Sequence, residues 1–373
     1  MTIDADPPLR VSTLELFFDL VFVFTITQLT SLLARDGVTG ADAFRVLLIF
    51  GVLWWMYGGY AWLTNTRTPS RTPERLLLLL GMAGFLVVGL AIPKAFDRRG
   101  EGIALALGYL LVIAVHGVLY QRVNRNILRV VPINVVAAVL VLVAALTGGA
   151  AAYVLWALAL AGPVVSPLIV DPRGRFAIQP SHFVERHGAL IIVVFGESVA
   201  DIGIGAADHR LTASLVAAAV LGLALTATLW WAYFGVADDE RAENAFIQAD
   251  PASRPALALK AYWYSYIPML LGIVGLAAGI KVAMLDPGAG LQWRPSLILG
   301  GGVALFLAGD VCFRHALRIG VLRYRIAAAI AALAVSAVGQ ASAAAEIALL
   351  AAIVAGALMA ERQARATPDT VDL

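Results

Sequence analysis

Charged side chains are scarce in this chain. Asp, Glu, Lys and Arg make up 14% of its 373 residues, against 61% hydrophobic, where a soluble domain carries about 25% charged residues. A water-soluble globular class is excluded on that ground. Basic character is thin as well: the formal net charge is only +2, and the three lysines and twenty-four arginines are dispersed along the chain, so no basic surface for nucleic acid is expected. The lone cysteine, Cys312, lies in an apolar run and cannot pair within the chain, which removes a disulfide framework. The first ten residues have no basic region ahead of an apolar stretch and a small-residue cleavage site. The first apolar span, rather than a cleaved leader, is therefore expected to direct insertion. No His, Cys and carboxylate set has zinc spacing, and no glycine loop is shaped for phosphate. Neither a metal nor a cofactor is expected.

What is abundant is apolar sequence in long runs. Crossing a hydrocarbon core of ~30 Å takes ~20 residues of helix, and such runs fall at 13–34, 42–64, 75–95, 102–121, 127–148, 150–170, 182–205, 211–235, 256–280, 295–316, 322–340 and 343–360. The expected class is an all-α polytopic integral membrane protein of about twelve transmembrane helices. Eighteen Lys and Arg fall on the side of the N-terminus and eight on the other, with Arg186 inside a span. Basic loops stay in the cytoplasm, so both termini are expected there.

The runs also repeat. WWMYG at 54–58 matches WWAYFG at 230–235, LLGMAGF at 79–85 matches LLGIVGL at 270–276, and GYLLVIAVH at 108–116 matches GVALFLAGD at 302–310. With Glu15 opposite Glu185, the offsets grow as 170, 176, 191 and 194, each jump falling in a predicted loop. The halves, 1–175 and 176–373, read as two six-helix repeats. Six spans per copy is even, so the copies share one topology and are parallel rather than inverted.

Acids inside such spans are the candidates for function. A charge at the centre of a bilayer costs ~2.5–3.5 kcal/mol, so acids there face the bundle and mark ion or proton paths by default. Glu15 and Asp19 are four apart and share a helix face; they read either as a proton or cation site, or as acids that order the bundle through an arginine. In span seven His182, Glu185 and Arg186 are read as one polar face. Glu197, twelve residues beyond Glu185, lies ~18 Å deeper at 1.5 Å per residue, beside Gly196 and Ser198 and one turn before Asp201. Its plainer reading is a buried carboxyl bonded to a neighbouring helix, with Gly196 permitting close approach, and His116, Asn134 and Arg129 are its candidate partners. His116 and Asp310 hold equivalent positions in spans four and ten and could meet across the two-fold axis; otherwise each finds a partner in its own half. The clusters around Trp54–Trp62, Trp230–Tyr233 and Tyr262–Tyr266 are read as an aromatic belt at the membrane surface. Pro163, Pro167 and Pro268 are expected to kink their helices, Gly275 and Gly279 to pack small-xxx-small, and the acidic stretch from Asp238 to form a solvated loop.

Two segments carry a family resemblance. STLELFFDLVFVF at 12–24 and ERHGALIIVVFGESV at 185–199 resemble the hallmark segments of the bacterial low-temperature-requirement protein A family. AIPKAF at 91–96 and the tyrosines 262, 264 and 266 are also similar to that family, and the likeness spans nearly the whole chain. It implies an integral protein of the bacterial cytoplasmic membrane, tied by name to growth in the cold, and carries over Glu15, Asp19, Glu185, Arg186, Glu197 and Ser198. A histidine that follows the tyrosines in many members is Ile267 here, so no metal or proton role carries over to it. Together these features are read as a proton-coupled transporter of a small solute or ion. The alternatives are an intramembrane enzyme that uses its acids as general acids on a lipid-soluble substrate, or a non-catalytic sensor or assembly factor. The expected partners are the bilayer and an unidentified small solute or ion, with a homo-oligomer left open. The orientation is checked by fusion: a reporter active only in the cytoplasm should work when attached at residue 373 and fail in the loop near 208.

Overall fold

The computed structural model describes residues 10–67, 69–169, 176–207, 209–235, 238–286 and 288–366. The repeat boundary expected at 175, with Arg173 and Arg175, lies outside them. Every element among the described residues is helical. In order they are α1 (Thr13–Leu33), α2 (Gly40–Thr66), α3 (Thr72–Ala91), α4 (Arg99–Tyr120), α5 (Val131–Thr147), α6 (Gly149–Ile169), α7 (Pro180–Ala206), α8 (Ala213–Phe234), α9 (Asp238–Gln248), α10 (Arg254–Ala258), α11 (Tyr266–Leu285), α12 (Trp293–Leu317), α13 (Arg323–Gly339) and α14 (Ala343–Ala366). Among the described residues, ten helical segments are long and apolar enough to cross a membrane, α10 and α11 counting as one. The two other expected spans become α5 and α13, each of 17 residues, which rise about 25 Å against a ~30 Å hydrocarbon core.

These helices are apolar all round, as membrane helices are. On α3, Leu78, Met82, Phe85 and Val88 are buried, yet Leu76, Leu79, Leu80, Leu86 and Leu90 are exposed on the opposite side. Lipid, not water, is the solvent that such a stripe fits.

The chain divides into two compact units. The first comprises Met1–Leu29, Phe44–Val193 and Ala242–Leu259, the second Thr30–Ala43, Val194–Arg241 and Lys260–Leu373. Helices α1 and α7 each supply residues to both.

In the first unit α2 is the most deeply buried span. Trp54, Tyr57 and Tyr60 are fully enclosed, and Phe22 packs on Tyr57 with ring centroids 4.4 Å apart. These rings are core, not a surface belt: they stand on the face of α2 that meets α1, where large rings fill interhelical space. The belt reading suits only Trp230 and Trp231, which are exposed; Tyr262, Trp263 and Tyr266 are buried. Helices α5 and α6 are joined through Gly148 (φ +65°) and Gly149 (φ +58°), a left-handed pair that glycine adopts without penalty. Helix α6 runs on through Pro163 and Pro167. Pro167 has no N–H to give the carbonyl of Pro163, and the Ser166 hydroxyl donates to that oxygen at 2.8 Å instead, a substitution that membrane helices use.

In the second unit α11 is the buried span, and the helix breaks before it. Residues Leu259–Tyr264 are π-helical, the Ser265 amide and hydroxyl both bonding the Lys260 carbonyl. The expected kink at Pro268 is thus displaced upstream, and Pro268 falls in the first turn of the resumed helix, where a missing N–H leaves nothing unpaired.

Glycine lets helices cross in close contact in each unit. A Cβ on Gly84 of α3 would stand 3.0 Å from the Gly108 carbonyl of α4, and one on Gly275 of α11 would stand 3.1 Å from the Gly302 Cα of α12. Backbones in such contact leave no room for a side chain. Gly302→Leu should therefore destabilise the protein by about 1–3 kcal/mol or more, read as a lowered Tm in detergent. Gly301→Leu, which enters open space, should leave the Tm unchanged.

Candidate functional site

The buried polar cluster of the first unit is built from the start of α1. Ser12 precedes the helix and its hydroxyl accepts from the Glu15 amide (3.3 Å), while the Glu15 carboxylate accepts from the Ser12 amide and hydroxyl (2.8 Å each). This reciprocal capping box uses one carboxylate oxygen of Glu15. Its other oxygen takes Arg186 Nη1 at 2.6 Å, and Arg186 Nη2 reaches Asp19 Oδ1 at 3.1 Å. One guanidinium on α7 thus spans two acids a turn apart on α1. Thr64 accepts from Arg186 (3.1 Å), and the Tyr57 hydroxyl donates to Asp19 (2.8 Å).

His182 completes the cluster, its Nε2 lying 3.2 Å from Glu15. The amide of Asn65 is oriented by Gln179, accepting its N–H at 2.9 Å and donating to its carbonyl at 3.0 Å. Asn65 Nδ2 therefore donates to His182 Nδ1 at 3.2 Å. That assigns the proton to Nε2, which donates to Glu15, and makes the imidazole neutral. Glu15, Asp19, His182 and Arg186 are all essentially inaccessible to solvent. Two carboxylates thus face one guanidinium and one imidazole. Asp19 Oδ2 has no hydrogen-bond partner among the described residues.

Glu185 does not share this face. It is exposed and, among the described residues, accepts only the Val11 amide, at 3.3 Å. Three residues on from His182 it has turned away from the 182–186 stripe. Further along α7, Glu197 and Ser198 are buried, and Asp201 pairs with Lys281 Nζ of α11 at 3.0 Å. The close-approach reading of Gly196 fails: a Cβ there would meet nothing within 4 Å. Of the partners considered for Glu197, Asn134 accepts from Trp55 Nε1 at 3.0 Å and Arg129 is exposed.

His116 is buried between the rings of Tyr60 and Tyr120, with centroids 5.2 and 5.3 Å away, and neither ring nitrogen has a hydrogen-bond partner among the described residues. Asp310 finds its partners within the second unit. Arg314 Nε, one helical turn on, lies 3.1 Å from both its oxygens, and Arg325 of α13 donates to one of them. Arg314 also binds Asp238 (2.8 Å), and Arg325 binds Glu361 of α14 (2.9 Å). Asp238 corrects the loop reading: it opens helix α9 and is buried. Burial raises its pKa, but the hydrogen bond from Arg314 and the charges of Arg314, Arg365 and Arg325 outweigh that and hold the carboxyl below its ordinary value. This stabilisation is in place above the unfolded pKa and fades as pH falls through the folded one. The i, i+4 spacing of Asp310 and Arg314 was a readable signal; Asp238, Arg325 and Glu361 had none. Among the described residues no group of three or more His, Cys, Asp or Glu is placed to hold a metal ion.

These features define a helical membrane protein with a buried carboxylate–arginine cluster. The family model for the bacterial low temperature requirement A protein (LtrA) matches residues 10–360, and the chain belongs to that family. It is also 30% identical over 321 residues to an uncharacterized protein of Rhizobium meliloti (strain 1021), covering 82% of this chain and 77% of that one.

Removing Arg186 alone strands two buried carboxylates, so Arg186→Met should cost about 3–5 kcal/mol. The triple variant Glu15→Gln, Asp19→Asn, Arg186→Met should regain much of that. Glu185→Gln should stay within about 0.5 kcal/mol of wild type. Thermal unfolding of the purified protein measures all three.

Proposed function

We propose that this LtrA-family membrane protein is a proton-coupled secondary transporter of a small solute or ion. The observation that carries the reading is the charge imbalance around Arg186: two buried acids, one cation, and Asp19 Oδ2 with no donor. A buried carboxylate oxygen left without a partner is costly, and a proton or a small cation at that oxygen removes the cost. Occupying and vacating it couples ion movement to the packing of α1 against α7. Further along α7, Glu197 and Asp201 serve as protonation or cation sites in their own right, as carboxylates buried within a span do by default, with the Ser198 hydroxyl beside them.

The architecture proposed with this function is twelve spans in two parallel six-helix repeats, with both termini cytoplasmic. Helices α5 and α13 then cross where the bilayer thins or flanking residues reach the interface. Support for the duplication comes from the glycine crossings. Gly84 corresponds to Gly275 and Gly108 to Gly302 in the aligned sequence, and each pair makes the tight contact of its own unit.

The test is reconstitution. In proteoliposomes carrying a pH-sensitive dye, a panel of small solutes and cations should include one whose addition moves protons. Asp19→Asn and Glu197→Gln should abolish that movement without loss of folded protein. Solute uptake that ignores a pH gradient and is unchanged in both variants would overturn the proposal.

A further inference from the structure

The arginine network of the second unit opens to the surface at one end. There a cavity of about 240 Å³ lies between the end of α8, the start of α9 and the last turns of α14, with Arg241, Arg325, Arg362 and Arg365 in its wall and Asp238 and Glu361 the acids among them. We infer that this cavity binds a phosphate-bearing anion through the arginines that the internal ion pairs leave unsatisfied.

Charge is the first ground. Among the described residues, counting Arg314 and Asp310 directly behind the wall, five guanidiniums meet three carboxylates, an excess of two positive charges. The acids are already shared. Asp238 takes Arg314 at 2.8 Å and Arg241 at 3.0 Å, with Arg365 at 3.8 Å; Glu361 takes Arg325 at 2.9 Å and also Arg365. Arg362 has no ion pair among the described residues, and Arg241 gives only one of its nitrogens. A network whose only role is to brace helices has no use for this surplus, which repels itself unless an anion neutralises it.

Geometry is the second. The paired arginines are held in place: Arg314 and Arg325 both donate to the Ala232 carbonyl, at 2.8 and 2.7 Å, in the last turn of α8. The outer arginines have N–H groups to spare around a space large enough for several waters or one phosphate. Planar guanidinium forks suit a tetrahedral oxyanion, and the wall holds arginine and no lysine, the choice for fixed multidentate contacts. The rim is apolar on one side. Trp231 is 58% exposed and lines the opening with Leu358, as suits a phosphate that arrives on a lipid. A soluble phosphate compound offers the same oxyanion.

The experiment uses the full chain in nanodiscs or detergent and separates the two sources. Native mass spectrometry should show one phosphatidylglycerol retained per chain under conditions that strip phosphatidylcholine. The double variant Arg241→Ala, Arg362→Ala alters only exposed side chains and should lower that retention roughly tenfold or more. The control Arg125→Ala, Arg129→Ala, which removes the same charge from exposed positions of the first unit, should not. If wild type shows no preference between the lipids but millimolar inorganic phosphate raises its Tm, and fails to do so in the double variant, the site is one for a soluble phosphate. Equal retention of both lipids with no phosphate effect would overturn the inference. So would a wild-type level of binding in the double variant, or an equal loss in the control.

Discussion

Arg186 is the constraint around which the first unit is arranged. A guanidinium cannot be deprotonated at physiological pH, so once α7 carries it into the interior, neighbouring helices must bring acceptors to it. Helix α1 brings Glu15 and Asp19, and α2 brings Thr64, with Tyr57 holding Asp19 from the far side. The aromatic packing follows from the same need. Phe18 and Tyr57 lie with their rings 5.9 and 5.8 Å from the guanidinium carbon, shielding the cluster from water and lipid and offering their faces to its charge.

The second unit solves a related problem with opposite sign. Its acids, Asp238, Asp310 and Glu361, are outnumbered by arginines and come from three different helices rather than from one helix start. Cations at the last turns of α12 and α14 also oppose the negative ends of those helix dipoles. One unit therefore holds an enclosed cluster with more acids than arginines, and the other an open one with more arginines than acids. The sequence matches between the first and second halves extend to glycines and aromatic pairs but not to the ionisable residues: His116 aligns with Asp310.

Class and span placement were legible because hydropathy is a local property summed over ~20 residues. The acids of α1 and α7 stood out for the same reason, as polar residues in apolar runs. The aromatic clusters were misread because proximity to a helix end says nothing of which way a ring points. Trp54 and Tyr57 turn inward, whereas Trp231, in a matching motif, turns out. Asp238 was misread because an acidic stretch looks solvated until an arginine seventy-six positions away is found 2.8 Å from it.

The amino-acid sequence by itself determined that this chain is a bundle of apolar helices, roughly where most of them run, and that a few acids lie within them. Composition, periodicity and capping act over one or a few turns, so no distant residue is needed to read them. Tertiary structure alone decided which acids share a guanidinium, that Glu185 faces away while Glu15 and Asp19 converge, and that one arginine network closes while the other opens. Those outcomes depend on helix rotation and on crossings at which glycine lets two backbones touch. A rotation of one residue, 100° about a helix axis, leaves the hydropathy of a span unchanged and exchanges every partner it has.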